Sequence, residues 1–179
     1  IGALNAGPQA FEDMRLALNT VLQSFRRDEQ GFLARLFGLR TDKVLFAATK
    51  SDHVTANQFH NLRLLLRAMM TDAAGRLPTN TIESEFAALS AVKCTANRRV
   101  LYQGQQMTVL EGAIKEHGGT EQLFPGEIPE HLPTAEDWAS ERFRFYDFQP
   151  PSLDRDRSRG IPHIHLDKAL QFLIGDLFW

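Results

Sequence analysis

Lys50 and Asp52 stand two residues apart in the turn Thr49-Lys50-Ser51-Asp52, directly after the apolar run Val44 to Ala48. A lysine and a carboxylate where a buried strand runs out suit the ring of a purine. Guanine presents two adjacent donors, N1–H and the exocyclic N2–H, and one carboxylate accepts both in a bidentate, charge-assisted pair. Adenine has a lone pair at N1 and no 2-amino group, so Asp52 would lose both bonds to it. Each buried polar group left unpaired costs about 1–3 kcal/mol, enough to separate the two bases strongly. Lys50 can lay its aliphatic stem along one face of the ring, with its ammonium near the ribose oxygen. A second turn, Ser90-Ala91-Val92-Lys93, closes the apolar run that starts at Phe86. Its backbone N–H groups can donate to the guanine O6.

Two strands and a helix must hold these turns. Val44 to Ala48 is apolar on both faces and reads as a buried strand of a parallel sheet. Thr55 to Met70 has helical periodicity, with Phe59, Leu62, Leu65, Leu66 and Met69 on one side. A polar loop, Thr71 to Thr81, leads to the second strand, Phe86 to Val92. Strand, helix, strand is a βαβ unit with an expected right-handed crossover. Ligands of open α/β sheets bind at the carboxyl ends of the strands, where both turns lie.

The flanking segments are read from the same patterns. Pro8 to Phe37 is helical, with Phe11, Met14, Leu18, Val21, Leu22 and Phe25 as its inner stripe and Gly31 dividing it in two. A hairpin is expected around Gln103-Gly104-Gln105, and irregular chain from Glu116 to Pro133. Phe143, Phe145 and Phe148 suggest a strand ending at Pro150-Pro151, and Asp154 to Gly160 a mobile charged loop. The closing LDKALQFLIGDLFW reads as a helix with Asp167 as N-cap and Leu170, Phe172 and Leu173 buried.

Composition bounds the function. The 179 residues are 43% apolar and 23% charged, which suits one soluble domain of ordinary size. A net charge of −2 announces no nucleic-acid partner. No apolar run is long enough to span a membrane, and no signal peptide is apparent. One cysteine, Cys94, rules out an intrachain disulfide and suits a reducing compartment. The chain opens on Ile1, so it reads as a piece of something longer.

An apolar strand, [N/T]-K-x-D, a helix, then a strand ending in an S-A-x-K-like turn resembles the base-recognition half of P-loop GTPases. Thr49, Lys50 and Asp52 match the first motif, with Thr49 where asparagine is usual. Ser90, Ala91 and Lys93 match the second loosely, because Val92 intervenes. KVLFAATKSDHV, ALSAVKCT, FPGEIP and PHIHLDKALQFLIGD resemble more specifically the YcjX-like family of stress-associated bacterial P-loop NTPases. That resemblance covers residue 30 to the C-terminus. It implies the C-terminal part of a GTPase-like α/β fold: residues 1–97 as the base-recognition half, 98–179 as a family-specific extension packed on it. It implies binding of GTP or GDP in the cytoplasm, with Asp52 setting base specificity, Lys50 stacking on the base, Thr49 bracing the loop and Ser90 to Lys93 closing over the ring.

No G-x-x-x-x-G-K-[ST] occurs in the sequence. The phosphate cradle, the switches and the Mg²⁺ ligands are therefore expected upstream, and this chain alone is not expected to hydrolyse GTP. Rival readings stay open. TKSD can be a solvated turn whose Asp52 caps the next helix, within a non-catalytic protein-interaction module of unknown partner. The chain can also belong to an ATP-binding member of the family. His163, His165 and Asp167 alternate as metal ligands can, although Asp167 is wanted as a cap. Cys94 beside the second turn reads as a buried small residue rather than a nucleophile. Arg98-Arg99 and Arg155, Arg157 and Arg159 read as solvated charge, and Phe143, Phe145, Tyr146 and Phe148 as core.

Overall fold

A computed structural model describes residues 1–27, 43–74, 83–116, 118–140, 142–152 and 160–178. The expected division at Gly31 and the loop 154–159 lie outside these residues. Two helices open the chain, α1 (Gly2–Ala6) and α2 (Pro8–Arg27). Strand β1 (Lys43–Ala48), helix α3 (Phe59–Ala74) and strand β2 (Glu83–Ala88) follow, and β1 pairs with β2 in parallel, which gives the βαβ unit. An antiparallel sheet of order β3-β4-β5 comes next: β3 (Thr95–Tyr102), β4 (Gln105–Ala113) and β5 (Thr120–Leu123). Two helices close the chain, α4 (Ala135–Ala139) and α5 (Leu166–Ile174), with a 3₁₀ turn at Gly175–Phe178. The described residues thus form a mixed α/β fold with one parallel and one antiparallel sheet. Among the described residues, no helix is long and apolar enough to cross a membrane.

The larger core draws on residues from Leu4 to Phe145. Leu4, Phe11, Val54, Leu62, Leu65, Met69, Ala88, Ile128 and Phe145 pack together. A smaller cluster of Leu110, Ile114 and Phe148 sits under the antiparallel sheet. The FPGEIP segment, residues 124–129, packs on the chain around Gln58 and Asn61. Pro125 and Ile128 are fully buried. Gln58 holds the segment from both sides, its Nε2 donating to the Gly126 carbonyl (2.8 Å) and its Oε1 accepting from the Ile128 N–H (2.7 Å).

Several expectations are corrected. Strand β1 is half-buried along all six residues rather than buried, since it has one neighbouring strand among the described residues. In α2, Phe11 and Leu22 are buried but Met14 and Val21 are 47% and 51% exposed. At about 100° per residue, positions 11, 18 and 22 fall within a narrow sector, whereas 14 and 21 lie about 60–80° to its side. Part of the stretch expected to be irregular forms β5, an exposed edge strand that pairs Leu123 with Leu110. Phe143 to Phe148 form no strand. That segment is held by the Phe145 N–H donating to Asn5 Oδ1 (3.1 Å) and by a single bridge between Phe148 and Ile114. The N-cap of α5 is His165, not Asp167, and Leu170 and Leu173 are 50% and 39% exposed. The helix turns Ala169 inward instead. The hairpin turns at the expected place: Gln103 (φ 48°) and Gly104 (φ 80°) are both left-handed, as a two-residue type I′ turn requires.

Candidate functional site

The two strands end level with one another. Ala48 is the register partner of Ala88, and the ladder continues past both ends through Leu89 N–H to Ala48 O (3.0 Å) and Ser51 N–H to Leu89 O (3.2 Å). Lys50 then adopts a left-handed conformation (φ 57°, ψ 35°), and Ser51–His53 form a 3₁₀ turn. This reversal carries Asp52 back toward the end of β2. Its side chain is buried, 3% exposed. Oδ1 accepts from Ser90 Oγ (2.7 Å) and Oδ2 from the Cys94 N–H (2.9 Å). Its backbone carbonyl accepts from Thr95 Oγ1 (2.6 Å). Asp52 therefore does not cap the following helix. The Ala56 N–H at the start of that helical segment is satisfied by Asn97 Oδ1 (2.8 Å) from β3.

A cavity of about 380 Å³ opens beside this carboxylate. Six of the seven residues singled out by sequence line it: Thr49, Lys50, Asp52, Ser90, Ala91 and Val92. Lys93 does not, and its N–H donates to the Pro162 carbonyl (2.7 Å). The Ser90 N–H is likewise taken, by the Ile164 carbonyl (3.0 Å). The PHIH segment thus consumes two of the four amides expected to face a ligand. Among the described residues, the Ala91 and Val92 N–H groups have no protein acceptor. Thr49 is exposed, and its hydroxyl bonds no other described group; the loop is braced through Ser51, Leu89 and Thr95 instead.

The far wall comes from His53, Lys115 and Asp147, which local sequence did not mark, and from Phe148, expected only as core; Leu89 and Cys94 complete the lining. The Lys50 ammonium lies 3.2 Å from Asp147 Oδ1, and that hydrogen bond and charge hold the Asp147 carboxyl below its usual range. The His53 ring meets Phe148 edge-on at 5.3 Å. Burial pushes its imidazole below the ordinary histidine value, partly opposed by the Asp52 charge. The neutral ring is favoured by folding, so stability should fall as pH drops from about 6.5, the unfolded value, toward the lower folded one. Urea midpoints taken on both sides of that window should fall further for the wild type than for His53→Gln. Equal losses in the two proteins would refute the assignment.

Cys94 also lines the cavity, and its thiol is pushed up to about 11, first by burial and then by the Asp52 charge and hydrogen bond. It should stay a thiol at neutral pH and alkylate slowly with iodoacetamide. Asp52→Asn, which removes the charge, should speed that labelling; an unchanged rate would show that burial alone sets it. Of the alternating set near the C-terminus, His165 Nδ1 lies 2.9 Å from the Ala88 carbonyl, whereas His163 faces Asp167 at 3.9 Å. The two imidazoles are engaged with different partners, and among the described residues no group of three or more His, Cys, Asp or Glu is placed to hold a metal.

The family model described as "YcjX-like family, DUF463" matches residues 1–178. The chain is similar to a protein of Escherichia coli K12 named Ras-like GTPase YcjX, 40% identical over 173 residues. It is similar to one of Shewanella oneidensis with the same name, 38% identical over 176 residues. Each alignment takes in 97% of this chain but 37% and 36% of those relatives, so the chain spans little more than a third of their length. With the family match running over almost every residue, the chain belongs to the YcjX-like family.

Proposed function

We propose that this chain recognises the guanine base of GTP or GDP, as the C-terminal, base-binding part of a GTPase whose P-loop, switches and Mg²⁺ ligands lie in the rest of the polypeptide. On this reading residues 1–97 supply the base-recognition half and residues 98–179 a family-specific extension. The observation that carries it is the buried Asp52 carboxylate, set at the ends of two parallel strands and bordering a cavity beside the Ser90–Val92 turn. Its two present bonds do not exhaust it, because a carboxylate has about four lone-pair sites. Ser90 and Cys94 take one on each oxygen and fix its orientation, which leaves one on each for N1–H and N2–H. The Ala91 and Val92 amides are the donors available to O6. Lys50 supplies the stem that lies along the ring. A reducing cytoplasm suits the free Cys94.

A second reading rests on the same two bonds. Asp52 can be a structural clasp between the strand ends, within a module that binds no nucleotide. Competition of GDP and ADP for the full-length polypeptide separates the readings. Guanine recognition expects GDP to win by about 100-fold or more. Equal affinities would indicate an ATP-binding member of the family, and no binding of either would leave the clasp.

A further inference from the structure

The ion pair between Lys50 and Asp147 joins residues 97 positions apart at the rim of the cavity, and both side chains are more than half exposed, 61% and 62%. The Asp147 end is fixed by its backbone. The Lys115 N–H donates to the Asp147 carbonyl (2.9 Å), the Gln149 N–H donates to the Ala113 carbonyl (2.8 Å), and Phe148 between them bridges to Ile114. Phe148 also packs against Gly112 so closely that a Cβ there would press on its ring. At the other end, Lys50 is held in a left-handed turn. A lysine stem free in solvent samples many rotamers, and ordering it over a ligand costs conformational entropy. A fixed carboxylate on the opposite rim lowers that cost before any ligand arrives.

We propose that Asp147 is a positioning residue of the base site: it holds the Lys50 stem across the cavity, so that the region after residue 97 completes a site begun by Thr49–Asp52 and Ser90–Val92. This rests on the guanine reading of the cavity. Asp147 acts through Lys50 and needs no contact with the base. An exposed pair is weak, so the expected effect is modest and sensitive to salt.

The test is equilibrium binding of a fluorescent GDP analogue to the full-length polypeptide, as wild type, Asp147→Asn, Lys50→Met and the double variant, at low and high ionic strength. Asp147→Asn should weaken binding about two- to five-fold at low salt, with a smaller effect at high salt. In the Lys50→Met background it should change nothing, and unfolding midpoints of Asp147→Asn and wild type should coincide. An undiminished effect in the Lys50→Met background overturns the positioning role, because Asp147 would then act independently of Lys50. Unchanged or tighter binding by Asp147→Asn in an otherwise wild-type protein overturns it too. A wild type that does not bind the analogue overturns the guanine reading itself, and this proposal with it.

Discussion

Asp52→Asn should turn a guanine site into a xanthine site without loosening the fold. The substitution keeps both clasps. The new amide Nδ2–H, in the place of Asp52 Oδ1, can donate to Ser90 Oγ, whose hydroxyl lies 2.9 Å from the Val92 carbonyl and can pass its proton there, while the asparagine oxygen, in the place of Asp52 Oδ2, accepts from the Cys94 N–H. Toward the base, however, the side chain now offers one acceptor and one donor. Guanine presents two donors, so one bond is replaced by a donor facing a donor. GDP affinity should fall by about 100-fold or more, in proportion to roughly 1–3 kcal/mol for each mismatched buried group. Xanthine presents N1–H and a carbonyl at position 2, which match the amide, so xanthosine diphosphate should gain where GDP loses. Asp52→Ala gives a different outcome. It leaves the Cys94 N–H without its acceptor and should cost about 1–3 kcal/mol of stability as well as base preference. If Asp52 were a clasp alone, Asp52→Ala would lower stability and Asp52→Asn would leave nucleotide selectivity untouched.

Gly126→Ala should be the most damaging single-methyl change among the described glycines. Gly126 has φ +86°, a left-handed conformation that side chains rarely adopt, and an added Cβ would collide with the Arg142 carbonyl oxygen. The neighbour is backbone and cannot rotate away. Relief would pull residues 142–145 from the core, where Phe145 packs with Ile128, or break the Gln58 bonds to Gly126 and Ile128. A loss of about 3 kcal/mol or more is expected, which in a chain of this size lowers the melting midpoint by roughly 6–12 °C. Gly118→Ala is the control. It too is left-handed (φ +70°), but its Cβ would meet only the end of the Gln149 side chain, at 3.9 Å. The strain alone should cost it about 1 kcal/mol. Equal midpoints for the two variants would show that the Arg142 contact carries no weight.

The sequence showed most clearly what local pattern encodes. Apolar runs bounded by polar turns located β1 and the apolar half of β2, and periodicity located most of α3, because those signals live within a few residues; β2 runs Glu83–Ala88 rather than Phe86–Val92, since its first half is the exposed Glu83-Ser84-Glu85, and α3 continues through Ala74 into the stretch expected as loop. Thr49, Lys50 and Asp52 were visible for the same reason. Long-range contacts were not. Nothing near Asp147 hints that its partner is Lys50, 97 positions earlier. Lys93 fits the motif by type, yet its amide is captured by Pro162, so only the fold reveals that the usable donors are Ala91 and Val92. Strand β5 carries no alternating apolar pattern and exists because β4 offers an edge. The N-cap of α5 went to His165 because its imidazole is drawn to the Ala88 carbonyl, which sets the left-handed turn one residue before the helix and leaves Asp167 in its first turn.

The direct test is a structure of the full-length polypeptide bound to GDP. Base recognition requires the two Asp52 oxygens to lie about 2.7–3.2 Å from guanine N1 and N2, with Ser90 and Cys94 still bonded to the same carboxylate. A nucleotide whose base sits elsewhere, with Asp52 touching only Ser90 and Cys94, would contradict it.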